Sequence, residues 1–501
     1  MRIVVIGAGF SGLATAALLA HYGHTVTVVE KNSEAGGRSG SLAIDGFRFD
    51  TGPSWYLMPD AFEHFFRLLG TSVAEQLELV QLDPGYRIFP EGHEPVDVPA
   101  DPAKVLELFE SIEPGAGMVL EDYLRSAADI YQRSIDRFLY TTFSNASFIR
   151  PSDLLKLPRL LVQSMQSFVN RQFHDTRLRQ ILTYPSVFLA SHPKRTPALY
   201  HLMSHTDLTQ GVFYPVGGFH AIVNSIASIA KAKGVTFIYD AAVERIAHDA
   251  GVVTGVYTDD RFIAADAVVS SADLFHTEQQ LLDPDVRSYS ASYFKRRDPG
   301  LSAVLVLLGV RDKIEQLTHH NLIFSKDWGP DFAAVFEHDP AQQASRSIYI
   351  SMPSATDAGV APAGDENIFI LIPTAADPSI GDGSAYGDAT PKVEAIADAA
   401  IQQLAEIVPD LEQRIVVRRT IGPKDFVTLY HSHQASAIGP AHTLRQSAFF
   451  RGRNMSRKIK GLYYAGATTV PGVGVPMCLI SAENIVKRIH GDRSHGRLKD
   501  S

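Results

Sequence analysis

The chain has 501 residues, 45% of them hydrophobic and 20% charged, with a net charge of −9. That length exceeds one ordinary core and calls for two or more domains, and the acidic balance lacks the basic face that a nucleic-acid partner requires. The single cysteine, Cys478, excludes an intramolecular disulfide or a cysteine metal cluster and fits a reducing compartment.

The apolar run Ile3–Ile6 is too short for a secretory signal core and leads directly into a glycine loop. "RIVVI" reads as a buried strand of β-branched residues. Gly7, Gly9 and Gly12 follow as G-x-G-x-x-G. The first permits a tight turn, the second lets a pyrophosphate approach the backbone, and the third lets a helix pack close to the strand. The N-terminus of that helix offers free N–H groups to an anion. Ala16 and Leu19 fall on one face of the helix, which Gly23 ends. "TVTVVE" is the next strand and closes on Glu30, near the ~20-residue spacing of a carboxylate that holds a ribose hydroxyl. An acid at that position disfavours a ribose phosphate, hence NADP. The order strand, loop, helix, strand, acid predicts a dinucleotide site. "EAGGRSGS" then brings Gly36, Gly37 and Arg38, a second close backbone approach with a guanidinium for a phosphate. Two such loops point to FAD.

"GFRFDTGPSWYLMP" reads as a strand entering a glycine-proline turn. Asp122 and Arg125 in "EDYLR" are i,i+3 on a predicted helix. "DLLKLPRLLVQSMQSFVNRQF" (153–173) mixes Leu, Val, Met and Phe with Lys156, Arg159 and Arg171, and Pro158 divides it. It suits a segment lying in a membrane interface. No apolar stretch approaches the ~20 residues that span a bilayer. His201 and His205 have i,i+4 spacing but lack an intervening glutamate and a third ligand, so no metal is expected. "FYPVGGFHAIVNSIASIAKAKGVTFIYDAAVERI" (213–246) reads as a turn, an amphipathic helix ending near Gly234, a strand and a short extension. "AADAVVSSADL" (264–274) is a further strand and turn, and "AVLVLLGV" (303–310) a buried strand. His431, His433 and His442 form a loose group at the surface or lining a pocket. "GLYYAGATTVPGVGVPMCLISAENIVKRI" (461–489) has a strand, a glycine-rich turn and a helix starting near Pro476. No nucleophile–base pair for hydrolysis is apparent.

Together "FDTGPS", "YPVGGF" and the tail "LRQSAFFRGRN…IKGLYYAGATTVPGVGVPMCLISAENI" resemble the bacterial-type phytoene desaturases, carotenoid desaturase and isomerase flavoproteins. "PGVGVP" matches their P-G-x-G-x-P, while Met477, Cys478 and Leu479 partly replace the family's small residues. The resemblance implies an α/β chain. It has a Rossmann-like, glutathione-reductase-like FAD domain, discontinuous over 1–70, 212–290 and 455–495, and a mixed-sheet substrate domain over 71–211 and 291–454 with a helical membrane-facing part. The expected FAD contacts are Gly7, Gly9, Phe10, Ser11, Gly12, Glu30, Lys31, Gly37, Arg38, Ser39, Pro53 and Ser54, with Val243 at the adenine end. Gly466 and Ala467 would approach the ribityl and phosphate region, and Gly474, Val475 and Pro476 the isoalloxazine. A helix N-terminus there would stabilise the negative charge of a reduced flavin.

The family's acid-and-arginine helix falls where Asp122 and Arg125 stand, which makes them catalytic candidates. The implied reaction is FAD-dependent desaturation of phytoene or a related long apolar polyene in carotenoid biosynthesis. A hydride goes to flavin, and electrons leave for oxygen or a quinone. The implied location is cytoplasmic, peripheral to the cell membrane. The alternatives are a carotenoid oxidase, ketolase or isomerase of the same family, or a non-catalytic prenyl-lipid escort protein.

Overall fold

The computed structural model describes residues 1–144, 149–150, 153–259, 261–337 and 344–499. Its first sheet has five parallel strands in the order Leu462–Tyr464, Ala267–Ser270, Arg2–Ile6, Thr25–Val29 and Thr236–Ile238. The chain therefore returns to this sheet from sites hundreds of residues apart. Successive side chains of a strand face opposite sides. Ile3 and Val5 enter the core shared with the helices, whereas Val4 and Ile6 enter the core shared with an antiparallel meander, Val243–Asp249, Val252–Thr258 and Phe262–Ala264. Burial on both faces explains the unbroken apolar run.

The helix Phe10–His21 lies between Gly218–Ala232 and Val475–His490. Every residue from Phe10 to Leu19 is buried, so Ala16 and Leu19 are part of an all-round buried surface and not of a single inward face. Small residues such as Ala14, Ala16 and Ala17 make that enclosure possible.

The second sheet has seven strands, ordered Ile415–Ile421, Leu301–Val310, Glu366–Ala375, Ile348–Ser351, His320–Phe324, Tyr86–Pro90 and Val96–Val98. All pairs are antiparallel except His320–Phe324 with Tyr86–Pro90. Leu301–Val310 is buried along its whole length. Val304, Val306 and Leu308 pack under the helix Pro391–Ala405, while Ala303, Leu305 and Leu307 face the interior that the helices Pro102–Ile112, Ala116–Arg133 and Thr176–Thr183 cover. The α/β architecture with a mixed second sheet is thus as expected. No helix among the described residues is long and apolar enough to cross a membrane.

Candidate functional site

The first loop is built without side chains. Gly7 turns at φ +93°, where a β-carbon is disfavoured. A β-carbon on Gly12 would lie 2.0 Å from the Gly7 carbonyl oxygen and 2.6 Å from Ser271 Oγ. Helix and strand meet there at a distance that admits only hydrogen. Gly9 is different, because its φ is −73° and a β-carbon on it would meet no atom within 4 Å. Its surroundings are open, and the second loop borders them: a Gly37 β-carbon would sit 3.2 Å from Gly9 Cα. The Gly36 N–H donates to the Ala8 carbonyl at 2.9 Å, tying the two loops together.

Glu30 is buried immediately after its strand. One carboxylate oxygen accepts from the Ala8 N–H at 2.7 Å and the other from the Asn32 N–H at 2.9 Å. Phe10 opens the helix and packs edge-on to Phe219. Arg38 Nη2 donates to Ser432 Oγ at 2.5 Å, and its guanidinium lies 5.9 Å from the Tyr430 ring centroid. The buried Ser39 donates its N–H to the Gly36 carbonyl at 3.0 Å. The turn carrying Pro53 and Ser54 seats on this loop, since a β-carbon on Gly52 would come within 1.9 Å of the Arg38 carbonyl oxygen. The segment before Val243 runs beside Glu30, with the Ala241 N–H donating to the Glu30 carbonyl at 3.0 Å.

The C-terminal loop closes on the same place. A β-carbon on Gly466 would be 3.6 Å from Ser11 Cβ, and the Gly466 N–H donates to Ser481 Oγ at 3.1 Å. Gly474, at φ +104°, caps the 16-residue helix Val475–His490, with Pro476 in its first turn. Arg451 holds the loop from beneath, donating to the carbonyls of Ala467 at 2.6 Å and Thr469 at 2.9 Å. Burial lowers Arg451 to about 10, which still leaves it charged.

These residues fit a dinucleotide. Ser11 Oγ and Arg38 Nε are buried without a protein partner, and buried polar groups rarely stay so. Both flank the open ground at Gly9, beside a helix N-terminus that favours anions. Ser271 and Arg451 brace the two loops; both lie in quoted stretches, "AADAVVSSADL" and "LRQSAFFRGRN", but neither residue type signals that role. Gly52 lies inside the "FDTGPS" stretch that the sequence analysis singled out.

Other expectations need correction. Asp122 and Arg125 pair with each other at 2.7 Å, 74% and 69% exposed, on the outer face of the helix Ala116–Arg133. That is a solvated ion pair and not part of the site. Lys31 donates to the Thr428 carbonyl at 2.6 Å, so its ammonium binds the helix Pro423–Tyr430 instead of facing the open ground at Gly9. His201 is buried between the Ala198 carbonyl and Ser126 Oγ, at 2.8 and 3.0 Å. The three later histidines have separate partners, and His433 lines a cavity with Phe275 and Phe294, as the pocket-lining expectation has it. His431 stacks on His276 at 3.9 Å, His433 stacks on Phe275 at 4.0 Å, and His442 is fully buried against Gly472. Among the described residues no three His, Cys, Asp or Glu side chains are grouped to hold a metal ion.

In the 153–173 segment, Asp153 is buried against Arg137 at 2.5 Å, and Met165, Val169 and Phe173 enter the core. The second half of that segment therefore faces inward, while Val162 is 81% exposed. The Lys156 side chain lies outside the described residues.

Comparison with known proteins agrees with this geometry. Residues 10–490 match the family model described as flavin containing amine oxidoreductase. The chain is 39% identical over 495 residues to a carotenoid 3,4-desaturase of Haloarcula japonica, covering 98% of each chain. It is 34% identical to a zeta-carotene-forming phytoene desaturase of Myxococcus xanthus, covering 97% of this chain and 93% of that one. Among solved structures, an oxidoreductase from Methanosarcina mazei superposes with a TM-score of 0.64 at 17% identity, covering 97% of this chain and all of that one. The chain belongs to the flavin-containing amine oxidoreductase family and is an FAD-dependent oxidoreductase.

Proposed function

We propose that the protein is an FAD-dependent carotenoid desaturase, introducing double bonds into phytoene or a related polyene in carotenoid biosynthesis. The observation that carries this reading is the apolar wall beside the C-terminal loop. Met477, in the first turn of the helix that Gly474 caps, and the half-buried Met58, Leu139 and Leu202 pack against Tyr131, Ile135, Tyr140 and Ile480. That wall suits a long hydrocarbon. Full-length likeness to carotenoid desaturases supports the same choice.

FAD, once bound, supplies the two-electron acceptor. Its pyrophosphate would be held by the backbone at Gly7, Gly9 and Gly12 with Phe10 and Ser11, and a ribose by Glu30. Gly37, Arg38 and Ser39 would meet the second phosphate, with Pro53 and Ser54 above them and Val243 at the adenine. Gly466 and Ala467 would flank the ribityl chain, and Gly474, Val475 and Pro476 the ring. The helix beginning at Val475 would favour negative charge at its N-terminus. Glu30 is already oriented by two backbone N–H groups, so it needs no reorganisation on binding. Electrons would leave for oxygen or a quinone. Incubating the FAD-loaded protein with phytoene and a carotenoid panel in liposomes should yield more desaturated products. Unchanged polyenes, with flavin bound, would sink the proposal.

A polyene resides in the bilayer, so the protein is proposed to be cytoplasmic and to dock on the membrane. Phe449 and Phe450, 50% and 61% exposed, are the best anchors, together with Leu444. Phe143 meets Phe449 at 4.9 Å between ring centroids. Tyr200 links this segment, through Ser447 Oγ at 3.0 Å, to the turn beside Val162. Burying the exposed half of two phenylalanines contributes roughly 1.5–3 kcal/mol. Phe449→Ser with Phe450→Ser should therefore reduce co-sedimentation with liposomes at least tenfold. Unchanged sedimentation would refute the assignment.

A further inference from the structure

Trp55 follows the Pro53–Ser54 turn directly and is set in a box of rings. The buried His320 stacks on its indole at 4.5 Å between centroids, within 6° of parallel. Tyr86 at 5.2 Å, Phe188 at 5.5 Å, Tyr349 at 5.9 Å and Tyr184 at 6.0 Å surround it, tilted by 49° to 54°. Trp55 and Phe188 keep part of their surface accessible, while Tyr86, Tyr184, Tyr349 and His320 are buried. Tyr349 Oη bonds His320 Nδ1 at 2.8 Å, which fixes the imidazole. Burial holds that imidazole neutral, its pKa pushed far below the usual histidine value.

Behind the box lies a buried carboxylate. Asp207 Oδ2 accepts from Tyr184 Oη at 2.8 Å and Tyr86 Oη at 3.1 Å, and its Oδ1 is buried without a partner. His320 Nε2 is likewise buried and unpartnered. Each such group costs roughly 1–3 kcal/mol. An apolar core of this size gains nothing in stability from them, so their presence calls for a role.

Desaturation supplies one. One hydrogen leaves its carbon with the electron pair of the C–H bond, and that pair is delivered to the flavin. The neighbouring carbon loses its hydrogen as a proton, taken by water, and that C–H pair becomes the new π bond. The polyene is oxidised by two electrons, and the flavin is reduced by the same two. If the hydride leaves first, the chain carries one positive charge, spread over its double bonds, until the proton goes. A cation of that kind is attracted to the face of an aromatic ring, most strongly to tryptophan.

We propose that Trp55, backed by His320, is the surface against which the polyene is held while it is electron-poor, with Asp207, in its ionised form, supplying balancing negative charge from behind Tyr86 and Tyr184. Trp55 is then a catalytic residue; Asp207, His320 and the two tyrosines position and polarise the box. A neutral His320 matters, because an imidazolium stacked on the indole would occupy the attraction that the substrate needs. Fixed rings around Trp55 mean that no reorganisation is required as charge develops. This inference rests on the desaturase reading above.

The test uses the FAD-loaded, full-length protein and two probes, a prenyl chain ending in a trimethylammonium group and the same chain ending in a tert-butyl group. The two match in shape and differ by one charge. The chain has two tryptophans, so Trp328→Phe leaves Trp55 emission as a direct reading of binding. In that background the ammonium probe should bind at least tenfold more tightly than its isostere. Asp207→Asn should cut the preference about threefold, and Trp55→Leu in the otherwise unaltered chain, followed by competition with substrate, should abolish it. In both variants affinity for the tert-butyl probe should hold within twofold, with flavin content and the circular dichroism spectrum retained. Trp55→Phe should keep part of the preference, with kcat reduced more than KM is raised. Equal affinity for the two probes in the unaltered box, or equal loss of both in the variants, overturns the inference. Absence of any polyene turnover overturns the desaturase reading instead, and turnover without charge preference overturns the inference alone.

Discussion

The five-stranded and seven-stranded sheets both carry strands buried on two faces, yet they present different atoms to the site. The parallel sheet presents backbone: the loops after Ile6 and Val29 place N–H groups and bare glycines around the open ground at Gly9. The mixed sheet presents large side chains, with Tyr86, His320 and Tyr349 closing around Trp55. A cradle of backbone is intolerant of added atoms and indifferent to pH. A box of rings and buried acids tolerates changes of shape but responds to charge. Substitutions on the two sides should therefore fail in different ways.

The largest effect is expected at Gly12→Ala. Its β-carbon would lie 2.0 Å from the Gly7 carbonyl oxygen, a backbone atom that cannot rotate away. Folding itself should suffer, seen as a melting temperature lowered by several degrees together with loss of flavin from the purified protein. Gly9→Val breaks the comparison open, because nothing in the chain lies within 4 Å of the new β-carbon. It should fold with an unchanged circular dichroism spectrum and yet bind no FAD. If Gly9→Val binds flavin normally, the open ground at Gly9 is not where the cofactor sits.

Glu30→Gln should be milder. The side chain keeps its shape but loses one acceptor to the Ala8 or Asn32 N–H groups. A hydrogen bond to a charged group is worth roughly 1.5–3 kcal/mol, so FAD affinity should fall between about tenfold and a hundredfold. Flavin titration of the apoprotein measures this directly.

Asp207 sharpens the other side. Burial raises its carboxyl to about 7 from 3.8, against the pull of the two tyrosine hydroxyls. A carboxyl raised in the folded state holds its proton where the unfolded chain releases it. The contribution of Asp207 to stability is therefore greatest below about pH 4 and is lost as pH rises toward 7. Asp207→Asn removes this dependence. Its melting temperature should match the parent at pH 4 and exceed it at pH 8, by a margin worth at most about 4 kcal/mol at roughly 1.4 kcal/mol per unit. Asp50, raised to about 6 by burial, adds a similar slope that the variant retains. A constant difference between the two proteins at every pH would show that Asp207 does not titrate in this range.

The same contrast explains what the sequence discloses. Gly7, Gly9, Gly12, Glu30 and Gly37 act through the absence of a side chain or through a carboxylate at a fixed spacing, and both are visible as letters in a row. The strand ending at Tyr464 and the helix capped by Gly474 are legible for the same reason. Trp55, His320 and Asp207 become a unit only when three distant stretches fold together, and each alone reads as a core residue. Ser271 and Arg451 are equally hidden, because bracing a loop through carbonyl oxygens requires no pattern. Helix periodicity also misleads at 165–173, where Met165, Val169 and Phe173 supply an amphipathic face that the core has already taken.

The smallest effect is expected at Asp122 and Arg125, and it tests how far linear position can carry an assignment. Their ion pair is short, at 2.7 Å, and Glu121 joins it at 3.0 Å, yet the groups are 59% to 74% exposed. Such pairs contribute at most about 1 kcal/mol, because water and salt screen them and two long side chains lose freedom. Asp122→Ala and Arg125→Ala should each leave kcat, KM and flavin content within twofold and move the melting temperature by a degree or less, with the difference vanishing in high salt. A loss of tenfold or more in kcat with flavin retained would return both residues to the chemistry. The helix Ala116–Arg133 would then have to present a different face to the substrate, and its own buried residues, Tyr123 and Ala127 among them, would have to be released from the core.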